Sequence, residues 1–270
     1  MRKISSSAIS VTRDERIDSA PSSKGNQIKW RTRNGLWLKA DDFGYEGLSE
    51  AVAARFLELS NISQYAWYDT CTIKEDIVEY RGCVSRDFLE SDERLITIFR
   101  LYEANGIDLY SEFEGKSAVD KLNRLIDNIA RWTNLAEFGA WLGRLLEFDA
   151  FILNEDRHLQ NIAVISNTGG GFRLMPIFDN GAALLSDTRR DYPLSASVSK
   201  LIEKVRSKPI VTSFSRQIEA TNSAVGLSLE FTCRPSLDHN DFPQYTEEEI
   251  NRAEKVVEIQ TKRYSYLFEN

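Results

Sequence analysis

Asn154-Glu155-Asp156-Arg157-His158-Leu159-Gln160-Asn161 crowds carboxylates, amides, a guanidinium and an imidazole into eight residues. Directly before it, Leu135–Leu153 is apolar almost all round, through Phe138, Trp141, Leu142, Leu145, Leu146, Phe148, Phe151 and Ile152. A helix that is greasy on every side is a buried one. A polar loop hung from a rigid buried helix suits catalysis, because orientation supplies much of a rate enhancement. Taken alone, the octet also reads as a capped helix end followed by a solvated turn.

A second acid breaks the tie. Short β-like runs at 162–165 and 172–176 flank the turn Asn167-Thr168-Gly169-Gly170-Gly171, and Ile177-Phe178-Asp179-Asn180-Gly181 follows. Folding the two runs onto each other brings Asp179 beside Asn161. Asp156 and Asn161 then have the D-x-x-x-x-N spacing of kinase-type phosphoryl transfer. In that template one Asp receives or orients the acceptor hydroxyl, while the Asn and an Asp beyond a hairpin hold the divalent ions on the phosphates. Phe178-Asp179-Asn180 stands where that template has D-F-G, in a different order.

The N-terminal third supplies the other parts in order. Two β-like runs, 27–31 and 36–40, are joined by Thr32-Arg33-Asn34-Gly35, and Asn-Gly is a strong hairpin signal. Lys39 lies in the apolar run Leu36-Trp37-Leu38-Lys39-Ala40, where a lone ammonium is costly to bury and needs a partner. Leu48, Val52 and Phe56 recur at helical spacing in 47–60, which predicts a helix carrying Glu50, with Glu46 just before it as a second partner. Ser22-Ser23-Lys24-Gly25-Asn26 precedes the run at 27–31, where a phosphate-covering loop belongs. An extended region over 77–89 contains Gly82 and reads as two strands or one bent one.

Composition sets the outer limits. The chain has 270 residues and a net charge of −7, with 42% apolar and 28% charged residues, an ordinary globular balance. The first 33 residues carry eight Lys/Arg and three Asp/Glu, so the acidity belongs to the remainder. That balance argues against direct nucleic-acid binding. Cys71, Cys83 and Cys233 form no C-x-x-C pair, which excludes a disulfide framework and a structural zinc site and leaves buried free thiols. No secretory h-region or long apolar span is evident, which predicts a cytoplasmic protein with no membrane partner. Thr246 and Glu249 form a capping-box pattern opening a helix over 246–268. His239 in Asp238-His239-Asn240-Asp241 and the pair Arg189-Arg190 read as exposed surface. His158 reads as a brace for its loop rather than a second base. The expected fold class is α+β, bilobal and protein-kinase-like. A small β-rich N-lobe would span 1–90 and a larger helical C-lobe 91–270.

These pieces together resemble the HipA-like serine/threonine kinases: N-E-D-R-H-L-Q-N at 154–161, P-I-F-D-N-G at 176–181, and the Lys39 strand with the Glu-bearing helix after it. The resemblance implies an ATP- and Mg2+-dependent enzyme with Asp156 as catalytic base and Asn161 and Asp179 as metal ligands. It implies Lys39 on the nucleotide phosphates and Arg86, Asp87, Phe88 and Leu89 passing the adenine as a hinge. It also implies a protein substrate with a Ser or Thr acceptor, a toxin role with a cognate antitoxin or regulatory partner, and autophosphorylation at Ser22 or Ser23, with Ser19 less favoured. The lysine strand, already reached at residue 39, reads as a short version lacking the family's extra N-terminal subdomain. The residues leave other classes open: a small-molecule or lipid kinase, a pseudokinase that binds without turnover, and a metal-dependent hydrolase using the acids without Lys39.

Overall fold

A computed structural model describes residues 8–17 and 27–268. The chain begins with β1 (Ile9–Val11) and β2 (Arg16–Ile17), and continues through β3 (Lys29–Arg31), β4 (Leu36–Ala40), α1 (Glu46–Glu58), β5 (Tyr68–Glu75) and β6 (Val78–Arg86). Among the described residues these strands form one sheet in the order β1-β5-β6-β4-β3-β2, antiparallel except for the parallel β1–β5 pair. Val11, Trp30, Leu38, Cys71, Ile73 and Val84 form a compact core on this sheet.

The expected hairpin at Asn34-Gly35 joins β3 to β4, with Gly35 at φ +78°. The run at 27–31 is not the first strand, however. β1 and β2 precede it, and β2 pairs with β3 through Arg16↔Trp30 and Ile17↔Lys29. The basic composition around them hid both. The extended region at 77–89 resolves into the single strand β6. Gly82 sits inside it because a Cβ there would meet the Lys39 carbonyl oxygen of β4 at 2.0 Å. β5 was not legible: Tyr68 to Cys71 are all buried, so it shows no alternation of apolar and polar positions.

The rest of the chain is mainly helical: α2 (Ile98–Ala104), α3 (Leu109–Phe113), α4 (Ala118–Thr133), α5 (Phe138–Ile152), α6 (Val198–Ile202), α7 (Phe214–Val225) and α8 (Glu247–Arg263). The three-stranded sheet β7 (Glu93–Thr97), β8 (Ala163–Asn167) and β9 (Phe172–Leu174) is set among these helices. The apolar helix expected from the sequence is α5, with residues from Phe138 to Ile152 buried on every side. The α8 capping box is present, and the last stretch, read as helix to Phe268, turns to a 3-10 segment at Ser265–Phe268. One continuous core joins α1 (Leu48, Val52, Phe56) to α5 and α8. Cys71 and Cys83 are buried free thiols, whereas Cys233 is exposed, lying in a loop after the bridge that Phe231 makes to Ser60. None of the described helices is long and apolar enough to cross a membrane.

Candidate active site

The β8–β9 hairpin forms as the spacing requires, with Val164↔Leu174 and Ser166↔Phe172 in register. It returns the chain so that Asp179 follows the hairpin close to the 154–161 loop. β7 adds a third strand that the sequence did not announce.

Lys39 is the centre of the site. Its Nζ lies 2.7 Å from Glu50 Oε1 and 2.7 Å from Asp179 Oδ1, with the side chain only 11% exposed. Glu50, one turn into α1, also accepts the Asn180 N–H at 2.7 Å through Oε2. Burial works against the Lys39 ammonium, but the Asp179 and Glu50 carboxylates outweigh it and hold its pKa well above the usual lysine value. In return, Lys39 holds Asp179 far below the usual carboxylate range. Glu46 is not a partner of Lys39: its carboxylate accepts the backbone N–H groups of Asp42, Phe43 and Gly44 ahead of α1.

Lys29, which no motif singled out, lies directly across from Lys39 in the β3–β4 pair. Burial and then the Lys39 charge push its pKa down, while Asp179 opposes both. Two lysines opposite one another are unfavourable without acids to face. Asp179 and Glu50 supply them.

Arg157 fastens the two acid-bearing segments together. It is fully buried, as is Asp149 on α5, and the two are 3.0 Å apart. Its other nitrogens donate to the Phe178 carbonyl at 2.7 Å and to Asn180 Oδ1 at 2.7 Å. One guanidinium therefore spans the end of α5, its own loop and the turn that carries Asp179. Asp179 itself sits at φ +61°, in the left-handed region that residues other than glycine seldom adopt. Lys39 on its carboxylate and Glu50 on the next N–H hold it there.

Within the loop, Asn154 Oδ1 accepts the Asp156 N–H, and Asn161 Nδ2 donates to the Asp156 carbonyl at 2.9 Å. His158 braces the turn as expected, its Nδ1 accepting the Gln160 N–H at 3.2 Å. Lys208, far along the chain and unmarked by any motif, places Nζ 3.0 Å from Asp156 Oδ1.

The hinge candidates divide. Phe88 packs on Phe178, ring centroids 5.2 Å apart, directly before Asp179 in sequence. Its carbonyl accepts from Arg173. Leu89 packs against the main core, Asp87 pairs with Arg31 at 2.6 Å, and Arg86 ends β6. The candidates Ser22, Ser23, Lys24 and Gly25, with Ser19, lie outside the described residues. His239 lies 3.6 Å from Glu254, and Arg190 pairs with Asp187 while stacking on Phe43.

The donors suit Mg2+. Asp179 keeps a third of its side chain exposed, and the Asn161 amide nitrogen is committed to the loop, so the oxygen donors these two residues offer would fit the ion. Mg2+ is commonly bound by one or two such protein oxygens, the rest of its shell coming from phosphates and water. Among the described residues no cluster of His, Cys, Asp and Glu makes an all-protein cage.

A small twisted sheet with one helix against it, a larger helical part, and a lysine joined to a helix glutamate and to a post-hairpin aspartate define a bilobal, kinase-like α+β fold. A solved structure agrees. The chain is similar to the Helicobacter pylori proinflammatory kinase CtkA, with a TM-score of 0.61 over 95% of both chains at 16% identity. HipA of Shewanella oneidensis MR-1, solved with HipB and its operator DNA, gives a TM-score of 0.49 at 15% identity, over 93% of this chain and 67% of that one. No protein-family model and no curated protein matches the chain. The likeness to the CtkA structure supports the kinase-like α+β fold.

Proposed function

We propose that this protein is an ATP- and Mg2+-dependent phosphotransferase that phosphorylates a Ser or Thr hydroxyl of a protein. The observation that carries this reading is the Lys39 bridge to both Glu50 and Asp179, on a turn that Arg157 locks to the loop of Asp156 and Asn161. A kinase needs these parts in one place. Lys39 would hold the nucleotide phosphates, and Glu50 would fix its direction. Asn161 and Asp179 would hold Mg2+, which when bound offsets charge on the phosphates. Asp156 would take the acceptor's proton as the new O–P bond forms and the bond between the γ-phosphorus and the β,γ-bridging oxygen breaks, releasing ADP. The presence of Lys39 alongside the three acid and amide positions supports this reading over a metal-dependent hydrolase that would use the acids without Lys39. A cognate antitoxin-type partner is what the family resemblance implies, a cytoplasmic site of action is the expectation from the apolar pattern of the sequence, and co-purification of a partner from the native host tests the first.

The test is incubation with γ-labelled ATP and Mg2+, alongside nucleotide affinity on the same preparation. Asp156→Asn should abolish phosphoryl transfer while leaving Mg-ATP affinity within about threefold, since the group touches the acceptor and not the nucleotide. Turnover close to that of the parent would remove Asp156 from the mechanism.

A further inference from the structure

We propose that Lys208 is a positioning residue for the acceptor side of the site, acting on the carboxylate of Asp156; the inference rests on the phosphotransferase reading above. Lys208 Nζ stands 3.0 Å from Asp156 Oδ1, and its side chain is 40% exposed against 18% for Asp156. His158 Nε2 stands farther from that oxygen, at 4.0 Å.

The segment that presents Lys208 is built rather than loose. Val205, Ser207 and Ile210 are buried, the Ser207 hydroxyl donates to the Val211 carbonyl, and the Ile210 N–H reaches Gln217 Oε1 of α7. A groove of about 370 Å³ separates this strap from α3 and the Asp156 loop, with Phe99, Tyr110, Leu159, Lys208 and Pro209 along it. Lys208 therefore flanks Asp156 beside open space.

Stability does not account for such a pair. A partly exposed ion pair contributes little to stability. Its position accounts for it better. Lys39 is committed to Glu50 and Asp179, and Arg157 to Asp149 and Asn180. An ammonium on one oxygen of Asp156 fixes the rotation of that carboxylate. It also keeps a positive charge where the acceptor oxygen meets the incoming phosphoryl group, whose charge is spread over its equatorial oxygens.

The experiment compares Lys208→Met, Lys208→Arg and Asp156→Asn with the parent, measuring transfer from γ-labelled ATP in Mg2+ (autophosphorylation and phosphate release), Mg-ATP affinity and melting temperature. Misplacing a reacting group can cost about 100-fold, so Lys208→Met should lower kcat by roughly 10- to 100-fold. Nucleotide affinity and melting temperature should stay unchanged, and Lys208→Arg should recover most of the rate. If Asp156→Asn is inactive but Lys208→Met turns over within threefold of the parent, the inference on Lys208 fails and the phosphotransferase reading stands. A loss of affinity or melting temperature equal to the loss of rate, or no recovery with Arg, also overturns the positioning role. An active Asp156→Asn, or a parent that transfers no phosphate, overturns both.

Discussion

Lys39 shows how far single residues could be read. A lysine in an apolar strand demands a counter-charge, and the next helix offered Glu50 eleven residues on; the pair forms at 2.7 Å. The second partner, Asp179, is 140 residues away, and no local pattern connects the two. Glu50 performs two tasks, since its other oxygen holds the Asn180 N–H that fixes the turn. Glu50→Gln keeps the shape and removes the charge. A hydrogen bond to a charged group contributes about 1.5–3 kcal/mol, so Mg-ATP affinity should fall roughly 10-fold or more. The melting temperature should fall with it, since the two Lys39 partners share one buried network. Titration calorimetry and thermal melting measure both, and an unchanged affinity would mean that Lys39 is directed by Asp179 alone.

At the scale of elements, the loop after α5 and the turn after β9 behave as one unit because of Arg157. The sequence placed this arginine in a polar octet, where it reads as solvated, yet it is fully buried. The cause is tertiary: the end of α5, the loop and the 178–180 turn converge on it with a carboxylate, a carbonyl and an amide oxygen. Lysine has no planar fork to satisfy three directions at once. Arg157→Lys should therefore destabilise the protein, approaching the ~3–5 kcal/mol of a broken buried pair. Mg-nucleotide binding should also weaken, although Arg157 touches no substrate. Replacing both members, Arg157→Met with Asp149→Leu, should recover stability without recovering nucleotide binding, as denaturant unfolding and binding titrations would show. Recovery of binding would mean that the turn is placed by Lys39 and Glu50 without Arg157.

Across the whole molecule, Arg81 ties the sheet to the C-terminal helix. From β6 it reaches Asp41 at 2.9 Å and both oxygens of Glu249 at 2.8 Å, and it stacks on Tyr245. Glu249 is also the capping-box residue of α8, so one carboxylate starts the helix and docks it. Burial, reinforced by neighbouring Glu46, raises the Asp41 carboxyl to about 7 despite Arg81. An acid with a raised folded pKa binds more protons folded than unfolded between the two values. The stability it contributes is present below about pH 4 and is lost as pH rises towards 7. Asp179 has the opposite sign, its stabilisation being lost only as pH falls below the usual carboxylate range. The melting temperature of Asp41→Asn, minus that of the parent, should therefore increase from pH 5 to pH 8. A flat or decreasing difference would show that Arg81 keeps Asp41 ionised throughout.

Periodicity and spacing were enough for α1, α5, α8, the β3–β4 and β8–β9 hairpins and the D-x-x-x-x-N loop with Asp179 after it. These depend on local rules: helical apolar repeats, Asn-Gly turns and a fixed number of residues between chemical groups. β5, β7 and α7 were beyond such rules. β5 has no alternation because both of its faces are covered, while β7 and α7 lie in short or mixed stretches whose pattern is set by what packs on them. Likewise the acids and Lys39 could be named from the chain, whereas Arg157, Lys29 and Lys208 could not. A charged residue reveals a role in sequence when it stands in an apolar run, as Lys39 does, because burial there demands a partner. In the polar 154–161 octet Arg157 reads as solvated, and Lys208 follows no motif; only folding brings Asp149 and the 178–180 turn to the one and Asp156 to the other.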